Sequence, residues 1–246
     1  MVAVTKEMKV FHALMRLFDE KLSGRQMLEM ITARSNRGGN VLTRATSRGT
    51  DDFAAVVDSL LMRRLTKEQV VEMIAAKDLD GMNVLMVAVM TAASRASTDV
   101  FTALLSRLNT RFTAEQVAAM LSAKTFKGRN VLTMASTNHS AGSFEIVVTC
   151  LDIVLTEEQV MEMLATRDVN GRNAVMVAVS SGNKEAFNEA SKLLEGRNFT
   201  EAQVLEVLST KDNYGYNVLM LAVANGRRTV LDAVIEVLSH MLSESE

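Results

Sequence analysis

Two sets of residues in this chain have side chains able to do chemistry. One is scattered: His12, His139, His240 and the single cysteine, Cys150. The histidines stand at unrelated positions without a second ligand at metal-binding spacing, and are expected to be ordinary polar residues. Cys150 lies among Val147, Val148, Leu151 and Val154, the setting of a small core residue rather than of a nucleophile. The other set recurs five times. A basic residue (Arg34, Lys77, Lys124, Arg167, Lys211) is followed by a short polar one (Ser35, Asp78, Thr125, Asp168, Asp212). Three residues later comes glycine (Gly38, Gly81, Gly128, Gly171, Gly215), and two residues beyond it asparagine (Asn40, Asn83, Asn130, Asn173, Asn217). A repeated cation beside a glycine turn could hold phosphate, and repeated carboxylates could serve as acid or base. The same residues also have structural uses. A cation in the last turn of a helix offsets its dipole. A short polar side chain closes an Asx- or ST-turn, glycine accepts backbone conformations that a Cβ disfavours, and asparagine caps the helix that follows. No Walker loop, dinucleotide fingerprint, nucleophile elbow or zinc pattern accompanies them. The structural roles are therefore the expectation, with no catalysis, no metal and no cofactor.

The elements that position these residues repeat as well. Copies begin at Ser23, Thr66, Thr113, Thr156 and Thr200, spaced by 43, 47, 43 and 44 residues, and Gln26, Gln69, Gln116, Gln159 and Gln203 follow three residues later. That pairing is a capping box. Glu68, Glu115 and Glu158 add negative charge to the first turn, where the dipole favours it. The first helix of each copy is amphipathic, as in Val70, Met73 and Ile74. The second helix, after the asparagine, is apolar all round in copies two, four and five, which predicts burial on every side. It carries a small-residue column: Ala45, Ala88, Ala135, Ala178 and Ala222. In copies one and three it is more polar (Thr43, Arg44, Thr46; Thr133, Ser136, Thr137), which either weakens the core or opens a polar window onto a groove. A third helix closes each copy, over 53–61 in the first and 230–238 in the last. Residues 10–18 read as an orphan third helix able to cap the exposed end of copy one.

Composition agrees with a helical array. Proline is absent, where average usage of roughly 5% would give about twelve. Aromatics make up 4% and methionine is abundant, at 17 residues. The net charge of −2 gives no reason to expect nucleic acid or an anionic membrane as partner. No apolar run approaches the roughly 20 residues needed to span a bilayer. The lone cysteine excludes an intrachain disulfide and suits a reducing compartment, and the N-terminus is too soon charged for a signal peptide. The expected location is the cytoplasm, or a host cytosol if the chain is a secreted bacterial effector. The tail 243–246 reads as a solvated end.

The turn and second helix, clearest in Asp212-Asn213-Tyr214-Gly215-Tyr216-Asn217-Val218-Leu219-Met220-Leu221-Ala222-Val223, resemble the ankyrin repeat's Asp-x-x-Gly-x-Thr-Pro-Leu-His-x-Ala-Ala. The resemblance covers about 30 residues of each copy. It departs from the family where Asn and an aliphatic replace Thr-Pro, where the histidine is missing, and where a helix stands for the β-hairpin finger. The opening of the first helix, Leu65-Thr66-Lys67-Glu68-Gln69-Val70-Val71, is similar to that of DNA-reading TAL-effector repeats. The period here is about ten residues longer and no Gly-Gly-Lys loop follows.

These readings predict an all-α solenoid of five three-helix ankyrin-like repeats with an N-terminal capping helix. The segments are the cap 1–22, repeats 23–65, 66–112, 113–155 and 156–199, and a fifth repeat with C-terminal cap, 200–246. Invariant columns build such a scaffold and variable columns are free for partners. The most variable positions flank the glycine, and from them Asp80, Met82, Phe126, Lys127, Arg129, Arg172, Tyr214 and Tyr216 are the candidate contacts. Tyrosine and arginine are enriched at binding hot spots, and the ankyrin resemblance also implies contacts at these loops. The expected function is a non-catalytic scaffold that binds another protein, the alternative being a nucleic-acid-binding helical array of the TAL-effector kind.

Overall fold

The computed structural model describes Ala13 and residues 20–48, 65–137 and 142–243. Among these residues the protein is all-helical. The helices run α1 (Gly24–Thr32), α2 (Val41–Arg48), α3 (Lys67–Ala75), α4 (Val84–Arg95), α5 (Asp99–Leu108), α6 (Ala114–Leu121), α7 (Val131–Ala135), α8 (Ser143–Asp152), α9 (Glu157–Ala165), α10 (Ala174–Ser181), α11 (Lys184–Glu195), α12 (Glu201–Ser209), α13 (Val218–Asn225) and α14 (Arg228–Ser243). The expected capping helix at 10–18 and the third helix of copy one at 53–61 lie outside the described residues. No described helix is long and apolar enough to cross a membrane.

The first helix of every copy starts as its sequence dictates. Thr66, Thr156, Thr200 and Ser23 accept a hydrogen bond from the N–H of the glutamine three residues on, and that glutamine's side chain accepts from the cap's N–H. Thr113 and Gln116 do the same. The Glu68 carboxyl in the first turn is held below its usual pKa by its own backbone N–H and by the Thr66 hydroxyl. The helices end earlier than the basic column suggests. The last turns of α1, α3, α6, α9 and α12 contain no basic residue. The cation therefore does not offset the helix dipole from within the last turn. It sits in the extended stretch beyond, where Ala33, Ala76, Thr166 and Thr210 take ψ between 122 and 139°. From there Arg167 donates to Gly171 O at 2.8 Å and to Lys211 O at 2.7 Å, the latter in the next copy.

The chain divides into two compact units, Met1–Thr91 with Asp99–Met120, and Ala92–Thr98 with Leu121–Glu246. In the second unit like packs on like. The second helices α7, α10 and α13 contact in succession, as do the third helices α8, α11 and α14, and first helix α9 packs on α12. Phe144 and Phe187 are fully buried in α8 and α11, as is Phe101 in α5 of the first unit. Burying one such ring stabilises by about 2–3 kcal/mol. The alanine column is buried throughout, from Ala45 to Ala222. The second helices of copies two and four are buried from Val84 to Val89 and from Ala174 to Val179. That of copy five is not: Leu219, Met220 and Val223 are exposed.

The asparagine column joins one copy to the next. Oδ1 of Asn40, Asn83, Asn130, Asn173 and Asn217 accepts from the N–H three residues on, at 2.9–3.0 Å, and so caps the second helix. Nδ2 of the first four donates to a carbonyl of the following copy's first helix: Met73, Met120, Met163 and Val207, at 2.6–2.7 Å. Asn40, Asn83, Asn130 and Asn173 are buried, so neither half of the amide has water as a substitute. Asn130→Asp keeps the cap acceptor but turns a carboxylate oxygen toward Met163 O. Chemical denaturation is expected to show a loss of about 3 kcal/mol for it, and of less than about 1 kcal/mol for Asn217→Asp, which has no carbonyl to meet.

Candidate functional site

The turn between the first and second helices carries every candidate contact, and its backbone is built by the Asp and Gly columns. Oδ1 of Asp78, Asp168 and Asp212 accepts from the N–H groups two and four residues on, at 2.8–3.1 Å. The Thr125 hydroxyl accepts from Arg129 N. The glycine N–H returns to the carbonyl of the turn's first residue in all five copies. Neighbouring turns are then joined backbone to backbone. Leu79 N donates to Arg37 O in the first unit, and in the second Val169 N donates to Lys127 O and Asn213 N to Asn170 O, at 2.9–3.0 Å.

This contact explains the glycine twice over. Gly171 has φ +79°, and a Cβ there would stand 2.9 Å from Asn213 N in the next copy and closer still to side-chain atoms of Asn213 and of Arg167. Gly215 has φ +84°, and nothing lies within 4 Å of its missing Cβ.

In the second unit, two of the candidate contacts are part of this joint. Arg172 Nε meets Oδ2 of Asp212, one copy on, at 3.0 Å, and Arg129 Nε meets Oδ2 of Asp168 at 3.6 Å. Both carboxylates are buried and both arginines partly so. Burial alone raises the Asp212 carboxyl. The hydrogen bonds from Tyr216 N–H, the Arg172 guanidinium and Tyr214 N–H, with the charge of Arg172, outweigh it and hold the pKa below the ordinary carboxylate value. The rings of the aromatic candidates stand in solvent. Phe126 is 66% exposed, Tyr214 75% and Tyr216 41%, and Lys127 is exposed beside them. In the first unit Asp80 is exposed and Met82 half-buried. Leu79 and Val169, in the same column as Phe126, also hold their side chains in solvent. They were not among the sequence candidates, although the variability of their column marked them.

The two polar second helices resolve differently. In copy one, Thr43, Arg44 and Ser47 line an open cleft with Arg37 and Asp78. In copy three, Thr133 and Ser136 are buried, and their hydroxyls donate to Asn130 Oδ1 and Leu132 O. Polarity there is absorbed inside the helix and opens no window. Among the described residues no group of three His, Cys, Asp or Glu side chains could hold a metal ion. His12 and His139 lie outside the described residues, as does the side chain of His240 in α14. Cys150 is fully buried in α8, and burial pushes its thiol up to about 12. No protein-family model matches the sequence, and no curated protein is detectably similar to it.

Two outcomes follow from these environments. Asp212→Asn should lower stability at pH 7. Because the native pKa of Asp212 is depressed, the wild-type advantage holds down to the ordinary carboxylate pKa of about 4 and disappears as pH falls through the lower native value. Denaturation midpoints of both proteins across that range measure it, and an unchanging gap down to pH 2 would remove the carboxylate as its source. Cys150 should react with a thiol reagent at pH 8 only as fast as the protein unfolds, a limit lifted in denaturant.

Proposed function

We propose that this chain is a non-catalytic scaffold, an ankyrin-like solenoid of helical repeats, that binds another protein through its row of turns and the helix ends beside them. The observation that carries this reading is a division of labour inside the turn. The Asp, Gly and Asn columns are consumed in holding the turn and its neighbour. The positions between them differ from copy to copy and, in the second unit, present Phe126, Val169, Tyr214 and Tyr216 to solvent. Exposed rings on a backbone fixed by hydrogen bonds lose little entropy on binding, which is the property of hot-spot residues. The packing of like helices in the second unit supports repeat architecture, and the turn chemistry supports the ankyrin resemblance.

Three cations of these turns weigh toward a protein partner over nucleic acid. Arg129 and Arg172 are paired with buried carboxylates, and Arg167 is spent on two backbone carbonyls. Phosphate binding would need them released.

The reading separates two kinds of variant. Phe126→Ala with Tyr214→Ala should leave the denaturation midpoint within about 0.5 kcal/mol of wild type, the range of ordinary surface changes. It should reduce by at least about tenfold the capture of partner protein on the immobilised chain, a loss of about 1.4 kcal/mol. Arg172→Ala should weaken stability as well. Undiminished capture by the double aromatic variant would overturn the proposed face, and a salt-sensitive gel shift with DNA would turn the reading toward nucleic acid.

A further inference from the structure

The last copy ends in an apolar surface that its sequence makes no attempt to wet. Met220 is 47% exposed and Val223 61%, whereas their counterparts Met86 and Val89, and Met176 and Val179, are fully buried. Leu219 joins them from the same helix, and Ile235 in α14 is exposed where Leu105 and Ser191 are buried. The polar versions of these positions, Thr133 and Ser136, are buried in copy three, while the apolar Met220 and Val223 of copy five are exposed. The polar groups of the joint are in place there too. Asn217 caps α13 through Oδ1, as its counterparts do, while its Nδ2 has no carbonyl to meet. Tyr214 O is the counterpart of Arg37 O, Lys127 O and Asn170 O, each of which accepts an N–H from the following turn.

The matching surface is present once more in the same chain, on copy one. Met30 occupies the position of Met73, Met120, Met163 and Val207, the residues whose carbonyls receive the asparagine amide. Met73, Met163 and Val207 are buried and Met120 is half-buried, whereas Met30 is 50% exposed. Asn36 occupies the position of Leu79, Val169 and Asn213, which give their N–H to the preceding turn.

We propose that the α13 face of one molecule receives the α1 face of a second copy, head to tail. The new joint repeats the one made between successive copies within the chain, with Asn217 Nδ2 on Met30 O, Asn36 N–H on Tyr214 O, and Leu219, Met220 and Val223 under α1. The occupant is a second copy because the contact is one the chain already makes with itself, and because Met30 on one half and Leu219, Met220 and Val223 on the other are exposed. The interface is heterologous, so a pair of molecules leaves one free face of each kind that can take up further copies. Phe126, in copy three, takes no part in it.

Sedimentation at increasing concentration tests it. Wild type should move from monomer to dimer and longer species. Met220→Glu, which spoils only the back face, and Met30→Glu, which spoils only the front, should each stay monomeric with unchanged circular dichroism. An equimolar mixture of the two should give a species of twice the monomer mass and nothing larger, since each contributes one intact face. Phe126→Ala, in copy three, should associate as wild type does, which separates this proposal from that of partner binding. A monomeric wild type at high micromolar concentration would overturn it. So would self-association of either single-face variant, or a mixture that stays monomeric.

Discussion

The carboxamide of one asparagine per copy holds this fold in register. Its oxygen ends one problem, the open N–H groups at the start of the second helix, and its nitrogen ends another, a carbonyl of the first helix in the next copy. Serine, threonine and aspartate cap helices as well as asparagine does, but none offers a donor and an acceptor at the two ends of one rigid plane. The requirement is strict because the site is dry. A buried amide that met only one of its partners would leave a polar group without water or protein. The column therefore holds asparagine without exception, including Asn217, where only the cap is used.

The turn beside it works by the same economy. An aspartate oxygen gathers two N–H groups of its own loop, and its second oxygen, in Asp212, gathers a guanidinium from the copy before. The glycine gives the loop its left-handed residue and at the same time lets the next backbone come against it. Each constant residue thus has one local role and one role toward its neighbour. In copy five the two come apart: Asn217 keeps its cap, and nothing among the described residues lies against Gly215.

What could be read from the sequence follows that division. Capping boxes, Asx-turns, asparagine caps and the buried alanine column depend on residues three or four apart, and the chain's own repetition made them plain. The features that escaped lie between copies. The basic column looked like a last-turn cation because Arg167 stands next to the helix in sequence; in space it serves Lys211 O, 44 residues away. The asparagine amide was legible as a cap and not as a bridge, because its acceptor is 33 to 37 residues on. The second helix of copy five read as buried because its composition matches copies two and four. Composition reports what a helix can bury, and only the count of neighbours reports what covers it.

The amide bridge also bears on how such a chain changes length. Each copy supplies one donor to its successor and one acceptor to its predecessor, so a whole copy inserted or deleted leaves every buried amide matched. A partial copy leaves one orphaned on each side of the break. Duplication in whole units is therefore a neutral step for the interior, and the reading frame of the repeat is enforced by hydrogen-bond parity as firmly as by hydrophobic pattern.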